Sequence, residues 1–336
     1  MILLIIKLAA GAIAIYLGIA LALIASQRPP AGPPAIGEGL EFSSALDVDA
    51  VDLRPLQAFP ARDGTALFYR RYDSASPSPR IVILVHGSAW HGMQFHQMAK
   101  YLSERGLGTV ILPDMRGHGF TPAQRGDIDH IGQLEQDMAD LIDHVGAGID
   151  GPQIVLGGHS SGGGFAVRFA GGQYGHKADA FMLMAPFLKH NAPTTRPNAG
   201  GWARPAVRRI IGLTMLNAVG IRLLNHLAVI SFAMPRPVLE GTYGRTATTQ
   251  YSFALNQSFA PRSDYGADLA AIRQPLLVLA GGDDEAFVAD GYEPVISAHA
   301  AGGTYHVLPG VNHLGIVSDR RAMETAGDWL SKLRNS

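Results

Sequence analysis

The 336-residue chain contains no cysteine. That excludes disulfides, thiolate zinc sites, a thiol nucleophile and a lipidated N-terminal cysteine. It fits either side of a membrane and fixes no compartment. Charge is scarce as well: only 16% of residues are Asp, Glu, Lys or Arg, and the formal net charge is -1. With no basic excess and no acidic tail, nucleic acid is not an expected partner. No repeat of fixed period occurs. The thirteen histidines form no His-Glu-x-x-His pair, so neither a catalytic metal nor a cofactor is expected. Apolar residues are plentiful, at 47%. The length suits one large domain or two smaller ones with an ample core.

The N-terminus stands apart. Residues 1–25 read "MILLIIKLAAGAIAIYLGIALALIA", with Lys7 as the single charge. From Leu8 to Ala25 the run is uncharged, and at 1.5 Å per residue it reaches roughly 27 Å, enough to cross a hydrocarbon core. Residues 1–26 are therefore expected to form a transmembrane anchor. The alternative is a secretory signal, removed after Ala22 or Ala25. Lys7 lies on one side of the span, and Arg28, Glu38 and Glu41 follow on the other. The positive-inside rule then places the remainder on the non-cytoplasmic side. Residues 27–50 begin "QRPPAGPPAIGEG", which reads as a semi-rigid spacer holding a domain off the membrane.

From about Leu56 the chain alternates. "LQAFPA" and "ALFYRRY" flank Arg62–Gly64, a hairpin turn. "RIVILVHG", "GTVILPD", "QIVLGGH" and "AFMLMAP" read as buried strands, and the stretches between them carry helical stripes such as Ile131–Val145. Strand and helix in turn imply a parallel sheet covered on both faces. Between Phe187 and Gln274 no clean strand is read. Apolar helical patches fill this part, which is an expected cap at about 188–270. The alternation resumes with "PLLVLAGG" and "TYHVLPG".

"QIVLGGHSSGGGFAVRFA" (residues 153–170) is strand, tight turn and helix. No lysine follows as a phosphate loop requires. The frame that fits is Gly158-His159-Ser160-Ser161-Gly162, a nucleophile elbow. The residues two before and two after such a serine nearly touch. Ser160 has glycine at both places, whereas Ser161 would have His159 at one, so Ser160 is the expected nucleophile. A serine hydroxyl needs a base, and the base needs an orienting carboxylate. In this architecture both follow later strands, acid first. "LAGGDDEAF" supplies Asp284, with Asp283 as the alternative, and "GVNHLGI" supplies His313. The oxyanion hole is expected from the backbone N–H groups of Ser161 and of Ser88, on the loop after "VILVHG". Trp90 either lines an acyl pocket or fills space.

"LVHGSAWHG", "LPDMRGHGFTPAQRGDIDHIGQLEQDM", "GGHSSGGG", "GGDD" and "GVNH" together resemble the α/β-hydrolase superfamily. Within it they are similar to the branch of monoacylglycerol lipases, lysophospholipases and serine-aminopeptidase-like hydrolases. The resemblance covers about residues 55–187 and 270–335. It implies a mostly parallel eight-stranded sheet with helices on both faces, spanning residues 51–336 and carrying a helical cap. It gives Asp114, Arg116 and Gly119 a loop-organising role.

The expected activity is carboxylic-ester hydrolysis by a serine mechanism. The expected partners are a small or lipid-like ester, of monoacylglycerol or lysophospholipid type, and the membrane. An aminopeptidase or amidase with the same triad would need a cap acid for the substrate amine, and Glu240, Asp264 and Asp268 are the candidates. A perhydrolase would share the triad. A binding protein on this scaffold is a further reading, set against the presence of all three triad residues.

Overall fold

The computed structural model describes residues 1–32, 39–42, 52–120 and 122–333. Of the expected linker, residues 33–38 and 43–50 lie outside these. Helix α1 (Ile2–Ala25) comes first. The hairpin β1 (Leu56–Pro60) and β2 (Ala66–Tyr72) closes through the Arg62–Gly64 turn, where Ala61 N–H donates to Thr65 O at 2.9 Å. Then follow β3 (Arg80–Val85), α2 (His96–Glu104), β4 (Thr109–Asp114), α3 (Gln133–Gly146), β5 (Gln153–His159), α4 (Ser161–Ala170) and β6 (Ala180–Met184).

An insertion carries β7 (Ala203–Pro205), α5 (Val207–Ala218), β8 (Ala228–Phe232), β9 (Gln250–Ser252) and three short helices. The chain returns to the main sheet with β10 (Leu276–Gly281), α6 (Tyr292–Ser297), β11 (Thr304–Leu308) and α7 (Arg320–Lys332).

The main sheet has eight strands in the order β1-β2-β4-β3-β5-β6-β10-β11. β2 runs antiparallel to both neighbours, and all pairs from β4 to β11 are parallel. The central strands read as unbroken apolar runs because both faces are covered. Ile81, Ile83, Ile154, Leu156 and Val278 pack with α3 and α4 on one side. Val82, Leu84, Val155, Leu277 and Leu279 pack with α2 and α7 on the other. The period-2 alternation of side chains sends neighbouring residues to opposite layers.

The cap differs from its reading as helical patches. β7, β8 and β9 form a separate antiparallel sheet. Two of its strands have three residues, and β8 lies within the apolar run "LLNHLAVISF". A short apolar run has no period that separates strand from helix, and only pairing with distant residues decides it.

The spacer expectation is corrected too. The C-terminal half of α1 is packed on the cap. Ala20 and Ile24 are buried with Leu213 and Leu216, and Tyr16 Oη donates to Met215 O at 2.9 Å. Gly212 makes the approach possible, because a Cβ there would sit 2.5 Å from Ala20 O. Arg209 Nε reaches Ile24 O at 3.1 Å and Arg208 Nη2 reaches Ser26 O at 3.2 Å. These guanidinium groups satisfy the carbonyl end of α1, where its dipole favours cations. The domain and the apolar helix are in contact rather than held apart.

Candidate active site

The elbow forms where β5 meets α4. Ser160 has φ 54° and ψ -118°, a conformation that costs a non-glycine residue strain. The flanking glycines permit the turn: a Cβ on Gly158 would sit 2.5 Å from Gly162 C, and one on Gly162 would sit 2.1 Å from Val85 O. Ser160 N–H donates to Met184 O at 2.9 Å, which ties the turn to the end of β6.

Asp284 follows β10 and is buried. Its Oδ1 accepts from the N–H groups of Ala286 and Phe287, each at 2.8 Å. Its Oδ2 lies 2.8 Å from His313 Nδ1. Asp283 is exposed and has no such contact. His313, beyond β11, is also buried, and its N–H donates to Glu285 Oε2 at 2.8 Å. His313 and Ser160 line one open cavity of about 660 Å³, the solvent at its mouth included. Among the described residues no hydrogen bond engages Ser160 Oγ, and the N–H groups of Ser88 and Ser161 have no partner either.

A second open cavity, of about 540 Å³ with its mouth included, also reaches Ser88, Ser160 and Ser161. It is lined by Phe187, Ile230, Phe232, Phe259 and Phe287 under the cap. Trp202 borders both cavities and donates from Nε1 to Ser88 Oγ at 2.9 Å. Trp90 lines the larger cavity and also stacks on His91, with ring centroids 5.1 Å apart. Glu240 is exposed beside Arg236, Asp264 caps a short helix through Ala267 N–H, and Asp268 is paired with Arg262. None of the three lines either cavity.

Below the loops lies a polar scaffold. Gly87 N–H donates to Gln94 Oε1 at 2.7 Å, which leaves the Gln94 amide nitrogen to donate to His159 Nδ1 at 2.8 Å. His159 Nε2–H then donates to His313 O at 2.9 Å. One chain of bonds thus joins the oxyanion loop, the elbow and the turn bearing His313. His159 is neutral in this network: burial, then the nearby His313, holds its pKa well below the usual value. His86 donates to Gly87 O and accepts from Met115 N–H, and burial pushes its pKa down to about 4. His118 is likewise pushed down, chiefly by burial. Asp114 accepts from Gly92 N–H at 2.9 Å, and Arg116 pairs with Asp137 at 2.7 Å. Both pin the surrounding loops.

A family model for serine aminopeptidase, S33, matches residues 76–319. The chain belongs to the serine aminopeptidase S33 family. Over 266 residues it is 24% identical to a monoacylglycerol lipase of Mycolicibacterium smegmatis, covering 77% of this chain and 90% of that one. Its fold is similar to a soluble variant of a Saccharomyces cerevisiae monoglyceride lipase solved with a substrate analogue. There the TM-score is 0.64 at 17% identity, covering 90% of this chain and 99% of that one. It is also similar to a membrane phospholipase A described as a bacterial virulence factor, with TM-score 0.59 at 17% identity over 100% of this chain and 98% of that one. As an S33 family member the chain is an enzyme, a serine hydrolase of the α/β-hydrolase superfamily and of the lipase and esterase kind.

Several residues of the candidate site escaped the sequence reading. Leu40 and Phe42, from the Pro/Gly-rich stretch after α1, are buried and line the larger cavity. The Phe42 ring sits 5.6 Å from that of Trp202. Between them, Glu41 N–H donates to Glu285 Oε1 at 3.1 Å, so Glu285 bridges this strap to the His313 turn. Glu285 adjoins Asp284 and was findable by position. Leu40, Phe42 and Trp202 carry no local signal, because only the folded chain brings them to the site.

Proposed function

We propose that the enzyme hydrolyses carboxylic esters of lipid-like molecules, of the monoacylglycerol or lysophospholipid type, through an acyl-enzyme on Ser160. The observation that carries this reading is the convergence of three features at one apolar cavity: a serine on a strained elbow, a histidine, and a buried carboxylate fixing that histidine at 2.8 Å. With Nδ1–H donated to Asp284, the Nε2 of His313 is bare and takes the Ser160 proton as Oγ attacks the acyl carbon. The N–H groups of Ser88 and Ser161 receive the oxyanion. His313 returns the proton to the leaving alkoxide, then activates water to release the acid and restore Ser160.

The apolar chamber beneath the cap suits the acyl chain. The larger chamber, with Gln94, Gln97 and Ser318 among its lining residues, suits the alcohol. Residues 51–336 act as the hydrolase domain with its cap at about 188–270. Helix α1, 24 residues and apolar, anchors it at the membrane with the domain on the non-cytoplasmic side. The full-length enzyme is tested on glycerol and p-nitrophenyl esters of increasing acyl length, with Ser160→Ala as blank. Ester cleavage that is absent from the blank is expected. Cleavage of peptide amides with no ester cleavage would overturn the reading in favour of an amidase.

A further inference from the structure

The pairing of α1 with α5 fixes how the cap stands relative to the apolar helix. Arg209 meets Ile24, Gly212 meets Ala20, and Met215 meets Tyr16. Each three-residue step forward along α5 goes four residues backward along α1, so the helices are antiparallel. The chain beyond Met215 therefore advances toward the N-terminus of α1, the part no cap residue covers. There α5 ends at Ala218 and Val219–Leu223 make a turn. Its apolar side chains are bare: Val219 is 54% exposed, Ile221 39% and Leu223 83%. Isolated exposed apolar residues need no explanation, but three within five residues, at the end of the cap helix that pairs with an apolar helix, mark a surface for apolar surroundings.

Length decides what meets that patch. Only residues 2–15 of α1 lie beyond the pairing with α5. Even with Lys7 and the residues before it counted in, they reach only about 21 Å at 1.5 Å per residue, short of a hydrocarbon core of about 30 Å. For α1 to span, the core must also take in at least roughly 9 Å of the paired segment. The end of α5 and the Val219–Leu223 turn go with it. The polar groups of the turn suit this depth. Asn217 and Asn225 close on each other through reciprocal amide bonds at 2.7 and 3.0 Å. Arg222, the turn's one charge, is exposed.

We propose that the Val219–Leu223 turn of the cap is a second membrane-inserting element, buried in the acyl region of the bilayer. The proposal rests on α1 acting as a membrane anchor. The enzyme would then hold its cap in lipid, beside both cavities, with Trp202 of the same cap bordering Ser160.

The cysteine-free chain allows a direct test on the whole protein. Leu223→Cys, Ile13→Cys and Ser331→Cys are each labelled with an environment-sensitive fluorophore and reconstituted into phosphatidylcholine/phosphatidylglycerol vesicles. Ile13 lies inside the uncharged run and is 61% exposed. Doxyl-labelled lipid serves as quencher, and each variant is first required to keep the parent's thermal midpoint. The expected result is a blue-shifted probe at position 223, quenched as at position 13, with position 331 remaining water-like. Quenching at 13 with a water-like probe at 223 overturns insertion of the turn and leaves the anchor standing. A blue shift at 223 without doxyl quenching means that protein covers the turn, and also overturns the proposal. A water-like probe at 13 removes the anchor itself, and the proposal with it.

Discussion

Replacing Asp284 by asparagine tests the orienting role of that carboxylate with little change of shape. In the native site Oδ1 accepts two backbone N–H groups, from Ala286 and Phe287, while Oδ2 faces His313 Nδ1. An asparagine has one acceptor oxygen. The two N–H groups claim it, so the NH₂ turns toward His313. An NH₂ can only donate, which forces the imidazole to leave Nδ1 bare and to carry its proton on Nε2. That nitrogen can then no longer take the Ser160 proton.

Flipping the amide does not rescue the site. It would strand two buried N–H groups at about 1–3 kcal/mol each. The expected loss in kcat is on the order of 10⁴-fold, or about 5 kcal/mol of barrier. The assay is p-nitrophenyl ester turnover by the full-length enzyme, normalised to folded protein. An asparagine variant within about tenfold of the parent would refute the assignment of Asp284 and of the tautomer argument together.

Phe42→Ala removes the aromatic contact with Trp202 and opens one wall of the larger chamber. KM for esters of bulky alcohols should rise roughly two- to tenfold, with kcat unchanged; steady-state kinetics on two alcohols checks this, and an equal effect on both contradicts it. Stability should also fall with pH in a defined window. The folded pKa of His86 lies at about 4, below its unfolded value, so the native state binds fewer protons between about pH 6.5 and 4 and loses stability as pH drops through that range. The loss at about pH 5.5 is roughly 1 to 1.5 kcal/mol for His86, with His118 and His159 adding in the same direction. Urea midpoints at about pH 7.5 and 5.5 measure it, and equal midpoints would show that these histidines are not buried neutral.

The legible parts of this chain were those whose signal is local. Strands β3, β4 and β5 stood out because burial on both faces leaves no polar position in them. Ser160 could be told from Ser161 because the crowding that excludes His159 acts over two residues of sequence. Asp284 and His313 each sit in a turn directly after a strand. The parts that stayed hidden depend on distant pairing. The strands of the cap sheet are three to five residues long and are held by one another. The Gln94–His159 relay unites three loops that are separate in sequence. Leu40 and Phe42 read as spacer because a linker's composition does not reveal that a few of its side chains dock.

That docking changes what the stretch after α1 is for. A version trimmed for solubility at the start of β1 would keep every residue of the proposed chemistry and still lose a wall of its larger chamber. Swapping this stretch for a relative's would carry part of the substrate preference with it. Drift in the sequence of Leu40–Phe42 is therefore drift in the pocket, even though it occurs in a segment that an alignment of catalytic domains would discard.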